Sequence, residues 1–137
     1  MAKSQIHGSV VAGFPSPAEQ YLEPPLDLNN LLVKRPAATY FVRVQGDSMI
    51  GKGINNGDIL VVDRSLDPRD GDIIIASVDG EFTVKTLRIT KKAPSVIKLE
   101  AANPKYADII LKSGQELNCF GKVTACIHMF SSPRSLF

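Results

Sequence analysis

From Thr39 onward the chain is written in short apolar runs separated by turn residues. Thr39–Gln45 (TYFVRVQ) is rich in β-branched and aromatic types. Ile59–Asp63 (ILVVD) and Asp72–Val78 (DIIIASV) are apolar runs, preceded by Gly-Asp turns at Gly57-Asp58 and Gly71-Asp72. Such side chains suit a pleated, half-buried surface, so these runs predict strands. Asp79-Gly80 joins Val78 to Glu81 with the signature of a two-residue hairpin. Glu81–Ile89 (EFTVKTLRI), Ser95–Glu100 (SVIKLE), Asp108–Leu111 (DIIL) and Glu116–Phe130 follow as further strands, with Gly121 marking a bend or bulge in the last. Many short strands at regular spacing predict a mostly-β domain, curled or barrel-like.

Before residue 37 the pattern changes. Pro15, Pro17, Pro24, Pro25 and Pro36 fix φ and remove backbone donors, which excludes a long helix or a central strand. Met1–Pro25 reads as an extended, partly mobile arm. One short helix is predicted, with Asp27 as N-cap and Leu28, Leu31 and Leu32 at helical spacing. The expected organisation is an arm over 1–36, a β-rich domain over 37–130 and a tail over 131–137.

Composition narrows the function classes. With 137 residues, 44% hydrophobic and 22% charged, the chain can form one soluble domain without a metal or disulfide staple. The net charge is +2, and Lys34-Arg35 and Lys91-Lys92 are the only adjacent basic pairs. No basic stripe results, so strong direct DNA binding is not expected. Lys3 is not followed by the apolar run of a signal peptide, and no segment approaches the roughly 20 apolar residues of a membrane helix. A cytoplasmic protein is expected. Cys119 and Cys126 lack CxxC spacing and are expected to stay reduced; their odd offset puts them on opposite faces of a regular strand. His7 and His128 stand apart from any Cys or carboxylate cluster in the sequence, so neither a metal site nor a cofactor is expected.

Two residues carry candidate chemistry. Ser48 lies in Gly46-Asp47-Ser48-Met49, just after a predicted strand, where Gly46 lets the backbone turn. Ile50 excludes the G-x-S-x-G elbow, and Gly51 excludes S-x-x-K. By itself the tetrapeptide also fits a turn serine bonded to its own backbone. A nucleophilic serine needs a base, and a lysine can serve only when neutral, which burial favours. Lys85 fits best. Alternation along EFTVKTLRI puts it on one face with Thr83, Leu87 and Ile89, while Phe82 and Val84 cover the other. Lys98 in SVIKLE is the rival, and a snorkelling edge lysine is the plainer reading of Lys85.

Taken in order, Gly46-Asp47-Ser48-Met49, Gly57-Asp58, Gly71-Asp72-Ile73 and Asp79-Gly80-Glu81-Phe82-Thr83-Val84-Lys85 resemble the LexA/UmuD family of self-cleaving proteins. Gly13-Phe14-Pro15-Ser16-Pro17-Ala18 and Asp27-Leu28-Asn29 resemble the arm of its mutagenesis members, so the likeness spans about residues 12–130. The resemblance implies a LexA C-terminal-type catalytic domain. It implies Ser48 as nucleophile, Lys85 as general base and the Ala12–Gly13 bond as substrate. Backbone N–H groups of Ser48 and Met49 are the expected oxyanion donors. It further implies a bacterial SOS-response role: cleavage promoted by RecA on single-stranded DNA, then a homodimer that joins a UmuC-like error-prone translesion polymerase. A LexA-like or phage-type regulator lacking its DNA-binding domain is the alternative. The proline-rich arm cannot supply a helix-turn-helix, and no membrane anchor supports a signal peptidase.

Overall fold

The computed structural model describes residues 4–7, 12, 22–112 and 115–131. They fall into two units, Met1–Lys34 and Arg35–Phe137. In the first, β1 (Ser4–His7) pairs antiparallel with β2 (Leu22–Leu26). Pro24 and Pro25 lie inside β2, where the pairing with β1 is irregular between Gln5 and His7. Helix α1 (Leu28–Leu32) follows, and the Asp27 carboxylate caps it by accepting from the Asn29 N–H at 3.0 Å.

The second unit holds one seven-stranded antiparallel sheet. Its strands are β3 (Thr39–Arg43), β4 (Ile59–Asp63), β5 (Ile73–Val78), β6 (Glu81–Ile89), β7 (Ile97–Glu100), β8 (Ile109–Ile110) and β9 (Leu117–Ile127). Their order across the sheet is β3-β4-β9-β5-β6-β7-β8. The fold is mostly β, as expected. Asp79 (φ 50°) and Gly80 (φ 86°) both take positive φ between β5 and β6, as a two-residue hairpin turn requires.

Burial explains why β4 and β5 read as unbroken apolar runs. Ile75 packs with Val44, Met49, Ile54, Leu60 and Val62 in one core. Its neighbours Ile74 and Ala76 point the other way, into a second core with Leu87 and Leu99. Successive side chains of a strand face opposite sides, so a sheet covered on both faces needs apolar residues at every position.

The last strand departs from its sequence boundaries. It ends at Ile127 rather than Phe130, and it carries two irregularities. Against β5, Ile75 pairs with Gly121 and Ala76 with Cys119, leaving Phe120 as the extra residue. Against β4, Val61 pairs with Ala125 and Val62 with Val123, leaving Thr124 over. Each extra residue bends the strand and increases its twist, which lets β9 join β4 on one side to β5 on the other in a curled sheet. Gly121 has φ 143°, and a Cβ there would lie 2.6 Å from Val62 Cγ1 and 3.1 Å from the Asp63 carbonyl oxygen. Gly121→Ala is therefore expected to destabilise the fold by about 2–3 kcal/mol through overpacking and backbone strain. Denaturant unfolding of the two proteins in parallel checks this, and an unchanged midpoint would contradict it.

Candidate active site at the Ser48 turn

Ser48 sits in the connection between β3 and β4, and that connection closes on itself before any chemistry is considered. The Val44 N–H donates to the Asp58 carbonyl at 2.8 Å, and the Gly57 N–H to the Val44 carbonyl at 2.8 Å. Gly46, at φ 92°, turns the chain and gives its N–H to Asn56 Oδ1. The next side chain along, Met49, is 1% exposed and locked into the first core. Ser48 is left half-buried at the lip of a cleft. The neighbour's burial therefore fixes where the serine stands.

Lys85 reaches the same point from β6. Its side chain follows the alternation of the strand, on the face shared with Thr83, while Leu87 on that face enters the second core. Lys85 is 7% exposed. Its Nζ lies 2.9 Å from Ser48 Oγ, 2.8 Å from Thr83 Oγ1 and 3.1 Å from the Val84 carbonyl oxygen. Burial holds the Lys85 pKa below the ordinary lysine value. Among the described residues no carboxylate pairs with it. All three partners of Nζ are neutral oxygens, to which it donates, so none of them brings a counter-charge to the amine.

The rival lysine is accounted for differently. Lys98 forms ion pairs with Glu100 at 3.7 Å and Asp108 at 3.4 Å on a partly exposed strand.

The cleft beside Ser48 has a volume of about 340 Å³. Its walls are mixed: Val42, Val44, Leu60, Ile75 and Val84 lie around the serine together with Arg43, Gln45 and Thr83. It shares Val42, Ile75 and Phe82 with a second hollow that continues to Tyr40, Arg64 and Phe120. Phe82 and Phe120 pack there with ring centroids 4.9 Å apart. Thr83 and this aromatic pair went unassigned in the sequence. Thr83 had a signal, since it lies two residues from Lys85 on the same strand face. Phe120 had none, because the bulge in β9 sets its direction.

The sequence pattern of the chain also recurs in known proteins. That of Peptidase S24-like proteins matches residues 5–124. The chain belongs to the peptidase S24-like family. It is 50% identical to "Protein SamA" of Salmonella typhimurium over 117 residues, which cover 85% of this chain and 79% of that one. It is 45% identical to "Protein ImpA" of Escherichia coli, over 85% of this chain and 77% of that one. It is 40% identical to the "LexA repressor" of Leptospira interrogans, over 77% of this chain but 50% of that one. The resemblance drawn from the motifs thus holds: these are UmuD-like relatives within a family of self-cleaving serine peptidases.

The remaining expected site residues fall as follows. Ala12 is exposed, and Gly13 lies outside the described residues. The N–H groups of Ser48 and Met49 have no protein acceptor among the described residues. One sequence expectation is corrected. His128 does not stand apart from Cys and carboxylate groups: its Nδ1 meets Asp58 Oδ1, and the Cys126 thiol donates to Asp58 Oδ2 at 3.3 Å. Burial alone would raise the Asp58 pKa, but the Asn55 N–H, His128 and Cys126 outweigh it and hold the carboxyl below its usual range. Burial and the bond to Asp58 push the Cys126 thiol up to about 11, so it stays protonated and unreactive. The cluster ties the end of β9 to the turn that precedes β4, and chain separation hid it from the sequence. No helix of the described residues is long and apolar enough to cross a membrane.

The depressed Lys85 pKa has a consequence for folding. The unfolded chain holds this lysine at its ordinary 10.5, so it binds a proton that the folded chain has released between the lowered value and 10.5. Stability therefore rises with pH across that window. In a Ser48→Ala background, replacing Lys85 by Met removes the effect. The stability of Ser48→Ala relative to the double variant is expected to increase steadily as pH climbs towards 10.5. Urea unfolding at a series of pH values checks this; parallel stability curves would show that Lys85 is not desolvated.

Proposed function

We propose that this chain is a UmuD-like SOS-response protein that cuts its own Ala12–Gly13 bond with a Ser48–Lys85 dyad. The observation that carries the reading is a buried lysine amine 2.9 Å from a serine hydroxyl, with no carboxylate among the described residues to hold its charge. Neutral Lys85 takes the Ser48 proton as Ser48 Oγ attacks the Ala12 carbonyl carbon. The oxyanion is stabilised by the N–H groups of Ser48 and Met49. Protonated Lys85 then gives its proton to the Gly13 nitrogen, the C–N bond breaks, and Ala12 remains as an ester on Ser48. A water molecule, deprotonated by Lys85, hydrolyses that ester. Thr83 Oγ1 positions the amine throughout. The apolar side chains beside Ser48 suit the small side chain of Ala12.

On this reading the cut is a switch rather than a digestion. The shortened chain, beginning at Gly13, dimerises in the bacterial cytoplasm and serves a UmuC-like error-prone translesion polymerase, with a RecA filament on single-stranded DNA promoting the cut. The accessory role is favoured over that of a repressor by similarity: the chain is 50% identical to SamA and 40% identical to the LexA repressor over the matched residues.

The test is to incubate the purified protein across pH and read products by mass spectrometry. The first-order rate is expected to rise with pH and level off once Lys85 is neutral, with its inflection below the 10.5 of an ordinary lysine. The product should begin at Gly13. Ser48→Ala and Lys85→Ala are each expected to slow cleavage by on the order of 10³-fold or more. Cleavage that persists in either variant would sink the dyad. Co-purification of the shortened form with a UmuC-like polymerase tests the accessory role, and a polymerase equally active without it would count against that role.

A further inference from the structure

The turn that carries Ser48 is held from outside by a loop, residues 101–106, with no part in the chemistry described above. The Ala102 N–H donates to the Ser48 carbonyl at 2.7 Å, and the Gly51 N–H donates to the Ala102 carbonyl at 2.7 Å. Gly51 permits this approach, since a Cβ there would lie 2.6 Å from the Ala102 oxygen. Asn103, 7% exposed, donates from Nδ2 to the Asp47 carbonyl at 3.0 Å, and its Oδ1 accepts from the Lys105 N–H. The Tyr106 hydroxyl donates to the Asp47 carboxylate.

Two of these bonds act on particular peptide groups. A trans peptide unit is rigid and planar, so its C=O and N–H point in opposite directions. The Asp47 carbonyl shares its plane with the Ser48 N–H, and the Ser48 carbonyl shares its plane with the Met49 N–H. The Asp47 carbonyl also accepts from the Ile50 N–H at the longer distance of 3.3 Å, and the donors on the two carbonyls together fix the aim of each N–H, away from the loop. Hydrogen bonding at a carbonyl also polarises its own amide and makes the N–H a stronger donor. Among the described residues both N–H groups lack a protein acceptor, as donors reserved for a reacting group would.

We propose that the 101–106 loop is the positioning element of the oxyanion site, with Asn103 aiming the Ser48 N–H and the Ala102 backbone aiming the Met49 N–H. This rests on the Ser–Lys reading given above. Asn103 is a positioning residue, since it acts through the Asp47–Ser48 peptide and not on the substrate. Its loss lowers the height of the rate profile without moving the inflection set by Lys85.

The experiment compares self-cleavage across pH in the full chain, in Asn103→Leu and in Asn103→Ser, with thermal unfolding in parallel. Both replacements are neutral, so neither adds a charge that would shift Lys85. Leu keeps the approximate shape of Asn without a donor; Ser guards against misfolding caused by Leu. The plateau rate is expected to fall about 30-fold, less than the 10²–10³ lost when an oxyanion donor itself is removed, with an unmoved inflection. Unchanged rates would overturn the proposal. A fall accompanied by an inflection moved up towards 10.5 would also overturn it, because it would mean that water has reached Lys85 and that Asn103 serves packing. Loss of the fold in both variants would assign Asn103 to stability and overturn it as well. Failure of the underlying dyad is seen separately, as an intact chain that does not cut itself or a Ser48→Ala chain that does.

Discussion

A lysine taken out of water without a carboxylate beside it is the constraint on which the rest of this structure depends. An ammonium loses hydration when buried, and only a counter-charge or loss of the proton relieves it. At Lys85 no counter-charge is within reach among the described residues, and two hydroxyls and one carbonyl oxygen surround the nitrogen. The fold must then keep water away and hold those three oxygens still. β6 does the first by burying Lys85 beside a core, and its alternation does part of the second by placing Thr83 on the same face. The serine comes from a separate segment, so the sheet and the Ser48 turn must be registered to a fraction of an ångström.

That registration is spread over the molecule. Met49 anchors the turn in the core from below. The Asp58 cluster fixes its far end to β9, and the 101–106 loop grips it from outside. β9 lies between β4 and β5, so it sets the distance between the strand that follows Ser48 and the hairpin that carries Lys85. Gly121 makes that placement achievable, because a side chain there would meet Val62. A glycine far from Ser48 and Lys85 in sequence thereby belongs to the geometry that brings them together.

Much of this was legible in the sequence, and the legible parts share a cause. Strands β3 to β7, the Asp79-Gly80 hairpin and the Asp27 cap all rest on local rules, and each stands within a few residues of its expected place. Lys85 was legible because burial of both faces leaves an alternation that its neighbours display. What was not legible depends on distant pairing. The ribbon of β1 and β2 joins segments that read only as extended backbone. His128 meets Asp58 across most of the domain, and the last strand stops short of Phe130 once His128 turns towards that carboxylate. Asn103 looks like an ordinary turn residue until the fold lays it against the Asp47 carbonyl.

On the proposed reading, the same constraint explains how such a site can wait. Below its pKa the neutral fraction of a lysine changes tenfold for each unit by which that pKa moves. The rate of a reaction that needs the free amine follows that fraction directly. A partner that closes the cleft over Ser48 and excludes the remaining water would lower the Lys85 pKa further and speed the cut without supplying any catalytic group. On that reading the device acts through desolvation, which lowers the Lys85 pKa. A carboxylate beside the amine would pin the charge and make the site deaf to changes in burial. On that reading, a buried lysine whose neighbours among the described residues are neutral is an arrangement through which a partner sets the timing of a single irreversible event.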